Sequence, residues 1–190
     1  MKDLIELRWH GRGGQGVVTA AKMLAKAKLK EGWYFQAFPD YGPERMGAPV
    51  KAFTRLSPTP IHVHSQVQEP DIVLVLDPTL LKTVPVTEGL KADGTLLVNT
   101  NADPAELREM LKLDGQRLFV VDASNITLET LGREITNVPM LAALGRATDL
   151  VDREILRKEI QKELGAKFGP DVVEGNLAAL DRAWEETREG

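Results

Sequence analysis

Continuous runs of apolar residues mark the middle of the chain. They cover residues 71–76, 95–99 and 118–122, and the polar residues Asp77, Asn99 and Asp122 stand where they end. Runs of this length suit strands buried on both faces of a mostly parallel sheet. Between the second and third runs, Asp103 is placed to cap a helix over 104–113, with Pro104 in its first turn. This alternation predicts an α/β layered fold.

The first third of the chain predicts a strand, a glycine-rich turn and a helix in that order. Polar and apolar residues mix over 4–9 as in a strand, and residues 17–30 are rich in helix formers. Further strands are expected over 33–38 and 50–56, with an irregular proline- and glycine-rich segment over 39–49 between them. A short extended piece is expected around 61–63.

The last third is predicted to be helical. An apolar helical run covers 137–144, and apolar residues recur at helical spacing from Val151 to Leu164. Residues 165–170 end that helix, and Asn176 is expected to cap a final one. Residues 1–190 are therefore expected to form a single domain. Its predicted fold is a three-layer α/β/α sandwich with a mostly parallel sheet, a Rossmann-like opening unit and a helical C-terminus.

Charge and cysteine content narrow the function classes. The formal net charge of −4 argues against a nucleic-acid surface. The chain has no cysteine, which excludes disulfides, iron–sulfur clusters held by its own thiolates and cysteine-type zinc sites. No secretory signal and no membrane-length apolar run is visible, so a cytoplasmic protein that contacts no membrane is expected.

The histidines do not predict a metal site. His62 and His64 would share one face of a strand, but no third ligand lies nearby in the sequence, and His10 stands apart from them. These side chains are therefore expected at the surface or in packing. No Ser-His-Asp or Cys-His arrangement is present either, so no catalytic residue is assigned.

The glycine loop at residues 10–16 is the strongest candidate for binding. Gly11, Gly13 and Gly16 have the spacing of a dinucleotide fingerprint, and a glycine turn before a helix presents backbone N–H groups to an anion. Arg12 would add a charge-assisted contact to a phosphate or carboxylate. The alternative is a tight strand-to-helix turn that binds nothing.

A second unusual segment follows at residues 38–49. It combines charge, glycine, proline and an aromatic side chain near the first turn, and ordered loops of this kind are often functional. Tyr41 and Arg45 would contact a partner or a polar ligand. The alternative is a rigid connector into the next strand.

A nicotinamide site fits the loop less well. That site needs an acidic residue at the end of the second strand to hold the ribose, whereas the first acid here, Asp40, lies beyond Pro39. By the same carboxyl-end rule, the glycine loop, Asp77, Asn99 and Asp122 are expected at one edge of the sheet.

Residues 10–20 and 36–50 together resemble the gamma subunit of pyruvate:ferredoxin oxidoreductase and its 2-oxoacid relatives. Residues 75–80, 98–100, 121–123 and 137–141 are similar to later landmarks of that family, in the same order. The resemblance spans nearly the whole chain. It implies a subunit of an enzyme that oxidatively decarboxylates a 2-oxoacid, first of all pyruvate, with coenzyme A to give acyl-CoA, CO2 and reduced ferredoxin.

The resemblance also implies where the cofactors lie. Thiamine diphosphate, Mg and iron–sulfur clusters are expected on the alpha, beta and delta partner subunits, and this chain is expected to pack near the thiamine site and to help bind coenzyme A. The isolated chain is expected to be inactive. The candidate binding residues are Gly11, Arg12, Gly13, Gly14, Gln15, Gly16, Tyr41, Glu44, Arg45 and Gly47. The alternatives are a free-standing NAD(P)-dependent oxidoreductase and a structural module with an empty loop.

Overall fold

The computed structural model describes residues 4–40 and 47–190. Their elements are β1 (Ile5–Arg12), α1 (Val17–Lys30), β2 (Tyr34–Asp40), β3 (Pro49–Ser57), β4 (Ile72–Val75), a 3-10 helix (Pro78–Lys82), β5 (Thr95–Asn99), α2 (Pro104–Leu111), β6 (Arg117–Val121), α3 (Ala123–Leu131), α4 (Asn137–Thr148), α5 (Arg153–Gly165), α6 (Pro170–Glu186) and β7 (Arg188–Glu189).

The strands form one mixed sheet in the order β2-β3-β1-β4-β5-β6-β7. Its centre is parallel, because β1, β4, β5 and β6 pair in the same direction. The hairpin of β2 and β3 adds an antiparallel half, with β3 directly beside β1, and β7 closes the far edge antiparallel to β6. All four parallel strands therefore end at the same edge, where the glycine loop leaves β1.

Most of the helices pack on one face of the sheet, and shorter helices cover the other face. On the first face α1 contacts β1, β2 and β3, α4 contacts β5 and β6, and α3, α5 and α6 pack behind them. On the second face α2 and the 3-10 helix cover an apolar cluster that includes Val75, Val98 and Leu107. This arrangement confirms the predicted three-layer α/β fold.

Most predicted elements are confirmed at their predicted places. The apolar runs are the buried strands β4, β5 and β6, and α1 has the predicted bounds. The Asp103 carboxylate accepts hydrogen bonds from the backbone N–H groups of Ala105 and Glu106, which confirms it as the cap of α2. The predicted apolar helix at 137–144 is α4, and it continues to Thr148.

The predicted start of the last helix is wrong. The helix α6 begins at Pro170, because proline suits a first helical position, whereas Asn176 lies within it and donates from Nδ2 to the Val172 carbonyl. The sequence pattern also missed β7.

The predicted irregular segment at 39–49 is too long at both ends. Pairing with β3 carries β2 through Pro39 to Asp40, and pairing with β1 lets β3 begin at Pro49. Residues 41–46 lie outside the described parts of the chain. The extended piece at 61–63 is not a strand, and His62 and His64 are exposed side chains that share no strand face.

No helix in the described parts of the chain is both long enough and apolar enough to span a membrane.

Candidate functional site

The glycine loop turns the chain from β1 into α1 at the carboxyl edge of the parallel strands. Gly14 and Gly16 have φ angles of 98° and 78°, in the left-handed region that other residues rarely adopt. Gly14 is exposed, and a Cβ atom placed on it would meet nothing within 4 Å. The backbone of the loop is therefore open to a ligand at this point.

Several N–H groups of the loop are already used. Gly13 donates to the Ala48 carbonyl at 3.0 Å, Gln15 donates to the Arg12 carbonyl at 3.1 Å, and the Arg12 N–H donates to Gln15 Oε1 at 2.7 Å. The N–H groups of Gly14 and Gly16 find no protein acceptor within residues 4–40 and 47–190. They remain available to an anion.

The helix α1 begins without the usual compensation for its positive end. Its N-cap, Gly16, has no side chain to accept a hydrogen bond, and its first turn contains no acidic residue. The first N–H groups of a helix have no partner within the helix, and the helix dipole adds partial positive charge there. The loop and the helix end together present donors and positive potential to one small volume.

Arg12 joins three segments around the loop. Its Nε donates to Asp77 Oδ2 at 3.1 Å, its Nη1 donates to the Gly47 carbonyl at 3.0 Å, and its Nη2 donates to Thr79 Oγ1 at 2.7 Å. The Arg12 side chain is 30% exposed, and these contacts leave one N–H group on each of Nη1 and Nη2 for other acceptors. Its position is therefore fixed before any ligand binds.

Asp77 holds Arg12 and Gln15 in place. Its Oδ2 accepts from Gln15 Nε2 at 2.9 Å as well as from Arg12, and its Oδ1 accepts from the Thr79 N–H at 2.9 Å. Burial alone would raise the pKa of Asp77, but the hydrogen bonds from Thr79 and Gln15 and the charge of Arg12 outweigh it and lower the pKa. Asp77 is therefore ionised and caps the 3-10 helix, at the sheet edge where it was expected, while the ion pair with Arg12 carried no signal in the sequence.

Gly47, which lies just before β3, contacts the glycine loop. Gly47 donates from its N–H to the Gly13 carbonyl at 3.3 Å, so the entry to β3 and the glycine loop are tied together. The candidate residues Tyr41, Glu44 and Arg45 lie outside the described residues. Of that candidate group, Gly47 is thus the one whose place at the loop is seen.

Two other polar residues at strand ends organise the same edge. Asn99, buried at the end of β5, donates from Nδ2 to the Leu76 carbonyl at 2.8 Å and to Ser124 Oγ at 2.9 Å. Asp122 accepts from the Asn125 N–H and caps α3. The predicted grouping at the carboxyl edge therefore holds, with Asn99 and Asp122 in structural roles.

His10 is a packing residue at the end of β1. Its ring is 1% exposed, and Nε2 accepts from Arg8 Nε at 3.0 Å. Burial, together with the charges of Arg8 and Lys51, lowers the pKa of His10 from 6.5 to about 3. The ring is neutral at ordinary pH. Across residues 4–40 and 47–190 no three His, Asp or Glu side chains are grouped to hold a metal.

The sheet order weighs against the nicotinamide alternative. A dinucleotide fold places the second strand of the chain beside β1 and parallel to it, with an acidic residue at its end. Here β4 is the parallel neighbour of β1 on one side, and on the other side the antiparallel strand β3, with Pro49 opposite Arg12, lies where that second strand would be. Asp40 lies one strand further out, about 10 Å from β1 at normal strand spacing, and it accepts from Gln66 Nε2.

A groove leads away from Arg12 along the carboxyl edge. It encloses about 510 Å³ and lies between the 3-10 helix and α2. Thr79 and Thr100 are at its polar side, whereas Leu107 and Met110 supply an apolar wall. A ligand with one charged end and a long, partly apolar arm would match this division.

Comparison with known proteins gives one family throughout. The family model for pyruvate ferredoxin/flavodoxin oxidoreductase matches residues 6–186. The chain is 50% identical over 185 residues to the common gamma subunit of the pyruvate/ketoisovalerate oxidoreductases of Pyrococcus abyssi, covering 97% of this chain and 98% of that one. It is 47% identical over 187 residues to the pyruvate synthase subunit PorC of Thermotoga maritima, covering 98% of this chain and 96% of that one.

Solved structures agree. The crystal structure of the pyruvate oxidoreductase subunit PORC of Thermotoga maritima superposes with a TM-score of 0.87 at 43% identity, over 100% of this chain and 99% of that one. The 2-oxoglutarate:ferredoxin oxidoreductase of Magnetococcus marinus, solved with 2-oxoglutarate, coenzyme A and succinyl-CoA bound, matches with a TM-score of 0.77 at 19% identity. That match covers 96% of this chain and 31% of that one, and it shows the shared fold alone.

The motifs, the topology and the relatives thus agree, and the chain belongs to the pyruvate ferredoxin/flavodoxin oxidoreductase family, among its gamma subunits.

Proposed function

We propose that this gamma subunit binds coenzyme A at its glycine loop within a cytoplasmic pyruvate:ferredoxin oxidoreductase. The assembled enzyme contains alpha, beta and delta subunits, which carry thiamine diphosphate, Mg and the iron–sulfur clusters, and it passes electrons to ferredoxin. Residues 1–190 act in it as one domain. The candidate binding residues of the loop, Gly11 to Gly16, and of the segment Tyr41, Glu44, Arg45 and Gly47 form the coenzyme site.

The observation that carries this proposal is the open end of α1. The N–H groups of Gly14 and Gly16 and the first turn of the helix have no acidic side chain to satisfy them. Coenzyme A carries phosphate groups, and phosphate is the ligand class that such a helix end favours. The groove beside Arg12 gives the long pantetheine arm a path along the edge of the sheet.

The relatives support a coenzyme role rather than an oxoacid role. The Pyrococcus abyssi protein is named a common subunit of pyruvate and ketoisovalerate oxidoreductases. A subunit shared by enzymes with different oxoacids serves what their reactions have in common, and coenzyme A is common to both. The selective pocket for the oxoacid then belongs to the other subunits, with pyruvate as the first substrate and 2-oxoisovalerate or 2-oxoglutarate behind it.

The test places a negative charge at the open helix end. Thr19 is exposed in the first turn of α1, and an aspartate there stabilises a helix while it competes with phosphate for the free N–H groups. In the assembled enzyme we expect Thr19→Asp to raise KM for coenzyme A on the order of 10-fold, with KM for pyruvate unchanged. The matched variant Thr19→Asn has nearly the same shape without the charge and leaves both values near the parent's.

The assembly itself gives a second check. The tagged gamma subunit, recovered from its native cells, is expected to bring alpha, beta and delta chains with it, and pyruvate-dependent ferredoxin reduction is expected in that complex and not in the isolated chain. A gamma chain that is recovered alone, or a Thr19→Asp enzyme with unaltered coenzyme A kinetics, would contradict the proposal.

A further inference from the structure

The amide of Asn137 lies against the N-terminus of α1, although it belongs to α4. A Cβ atom placed on Gly16 would lie 2.8 Å from Asn137 Nδ2. Asn137 is 8% exposed, and it stands at the first position of α4. The N-termini of α1 and α4 therefore meet at the carboxyl edge, with this one side chain between them.

The orientation of the Asn137 amide follows from its own hydrogen bond. Its Oδ1 accepts from the Val138 N–H at 2.9 Å, so the oxygen must face α4 and the Nδ2 must face Gly16. Within the described residues Nδ2 donates to no protein acceptor. The residue is largely buried, and its Nδ2 keeps N–H groups free for an acceptor from outside the protein.

The surroundings of Asn137 Nδ2 favour an anion as the missing acceptor. Neither α1 nor α4 has an acidic residue in its first turn, and neither N-cap makes a side-chain hydrogen bond. Two helix dipoles thus point their positive ends at the volume beside Gly16. Gly16, which the Asn137 amide approaches, has a backbone N–H without a protein acceptor in the described residues, and so has Gly14 in the same loop.

We propose that Asn137 is a ligand-binding residue, whose Nδ2 donates to a phosphate group held between the N-termini of α1 and α4. The inference rests on the proposed function in taking that phosphate to be one of coenzyme A. It adds a second helix and a side-chain donor to a site that the sequence placed on the glycine loop alone. It also gives a role to Asn137, which the apolar run of α4 marked as a packing position.

The test replaces the donor by an acceptor of the same shape. In Asn137→Asp one carboxylate oxygen still accepts from the Val138 N–H, so this contact at the start of α4 is kept, while the other oxygen occupies the position of the donor and repels phosphate. In the assembled enzyme we expect KM for coenzyme A to rise on the order of 10- to 100-fold, with KM for pyruvate unchanged. Calorimetric titration of the same enzyme with coenzyme A should show an equal loss of affinity.

Two further variants keep the result interpretable. Asn137→Ala removes the donor without adding charge, and about a 10-fold rise in KM for coenzyme A is expected. Asn125→Asp adds the same charge to the first turn of α3, at the same edge of the sheet, and should leave KM for coenzyme A within about 2-fold of the parent, because α3 is not part of the proposed site.

The outcomes separate this inference from the proposed function. If Thr19→Asp weakens coenzyme A binding and both Asn137 variants bind it normally, the role of Asn137 is refuted while the coenzyme site on the loop stands. If neither helix end responds, both proposals fail. If Asn125→Asp is as damaging as Asn137→Asp, general charge repulsion explains the loss, and the specific contact is refuted.

Discussion

The parallel and antiparallel halves of the sheet differ in what holds them together, which is apolar burial in the first and paired polar side chains in the second. In the parallel half, β4, β5 and β6 bury apolar residues on both faces. At the junction with the antiparallel half, one face of β1 carries a row of polar residues that alternate along the strand; they are Glu6, Arg8, His10 and Arg12. A sheet therefore tolerates a charged row beside its core when each charge has a fixed partner.

The partners of that row lie on different segments of the chain. Glu6 accepts from Arg55 on β3, Arg8 donates to His10 and to the carbonyls of Val86 and Glu88, and Arg12 pairs with Asp77. Apolar packing in the other half depends on shape and volume, whereas these pairs depend on position and charge. The pair of Arg12 with Asp77 holds the glycine loop in position. The part of the sheet that depends on paired charges is therefore the part that carries the candidate site.

The largest expected effect comes from the parallel half. Leu97 is fully buried in β5 between Leu74 and Phe119, and Leu97→Ala should lower the free energy of unfolding by about 2–5 kcal/mol through lost burial and the cavity that remains. Urea denaturation measures this loss. The loss should be nearly the same in low and high salt, and a strong salt dependence would contradict the proposed division between the halves.

The next effect tests the buried ion pair of the antiparallel half. The Arg55 side chain is 1% exposed and its Nε lies 2.7 Å from Glu6 Oε1, which is on a side chain 19% exposed. Arg55→Met should cost about 2–3 kcal/mol, because it leaves the Glu6 charge without its partner; water reaches that carboxylate and limits the cost.

The double variant Glu6→Leu with Arg55→Met is the control for that pair. It removes both charges and should regain most of the lost stability in the same denaturation experiment, since an apolar pair of similar volume often replaces a buried ion pair without loss. A double variant less stable than Arg55→Met would show that Glu6 contributes through other contacts.

The pH response of His10 is the smallest of these effects when the change in the free energy of unfolding is counted per pH unit. Its pKa is about 3 in the folded chain and about 6.5 when unfolded, so the unfolded chain binds one more proton between these values. The contribution of neutral His10 is complete above pH 6.5 and is lost as the pH falls, by about 1.4 kcal/mol per pH unit. Urea denaturation from pH 7 to 4 measures the slope.

His10→Gln isolates this contribution, because the amide oxygen can accept from Arg8 and does not titrate in this range. The variant should lose that part of the slope, whereas the exposed pair His62→Gln and His64→Gln should keep it. An unchanged slope in His10→Gln would mean that other groups cause the acid sensitivity.

The sequence predictions were accurate where the signal is local and failed where packing decides the outcome. Apolar runs and capping residues are local signals, so β4, β5, β6, α1 and the Asp103 cap were predicted closely. The start of α6 was predicted wrongly, since Asn176 and Pro170 both carry helix-start signals and only packing shows which is used. The length of β2 was underestimated because Pro39 argues against a strand, yet an edge strand tolerates it.

Residue types at short spacing were enough to predict the fold class, the family and the glycine loop as the candidate site. The folded chain was needed to show that β3 separates Asp40 from β1, that Asp77 fixes Arg12, and that Asn137 meets Gly16. Each of these contacts joins residues far apart in the chain. Their positions depend on strand order and helix packing, which short-range patterns do not encode.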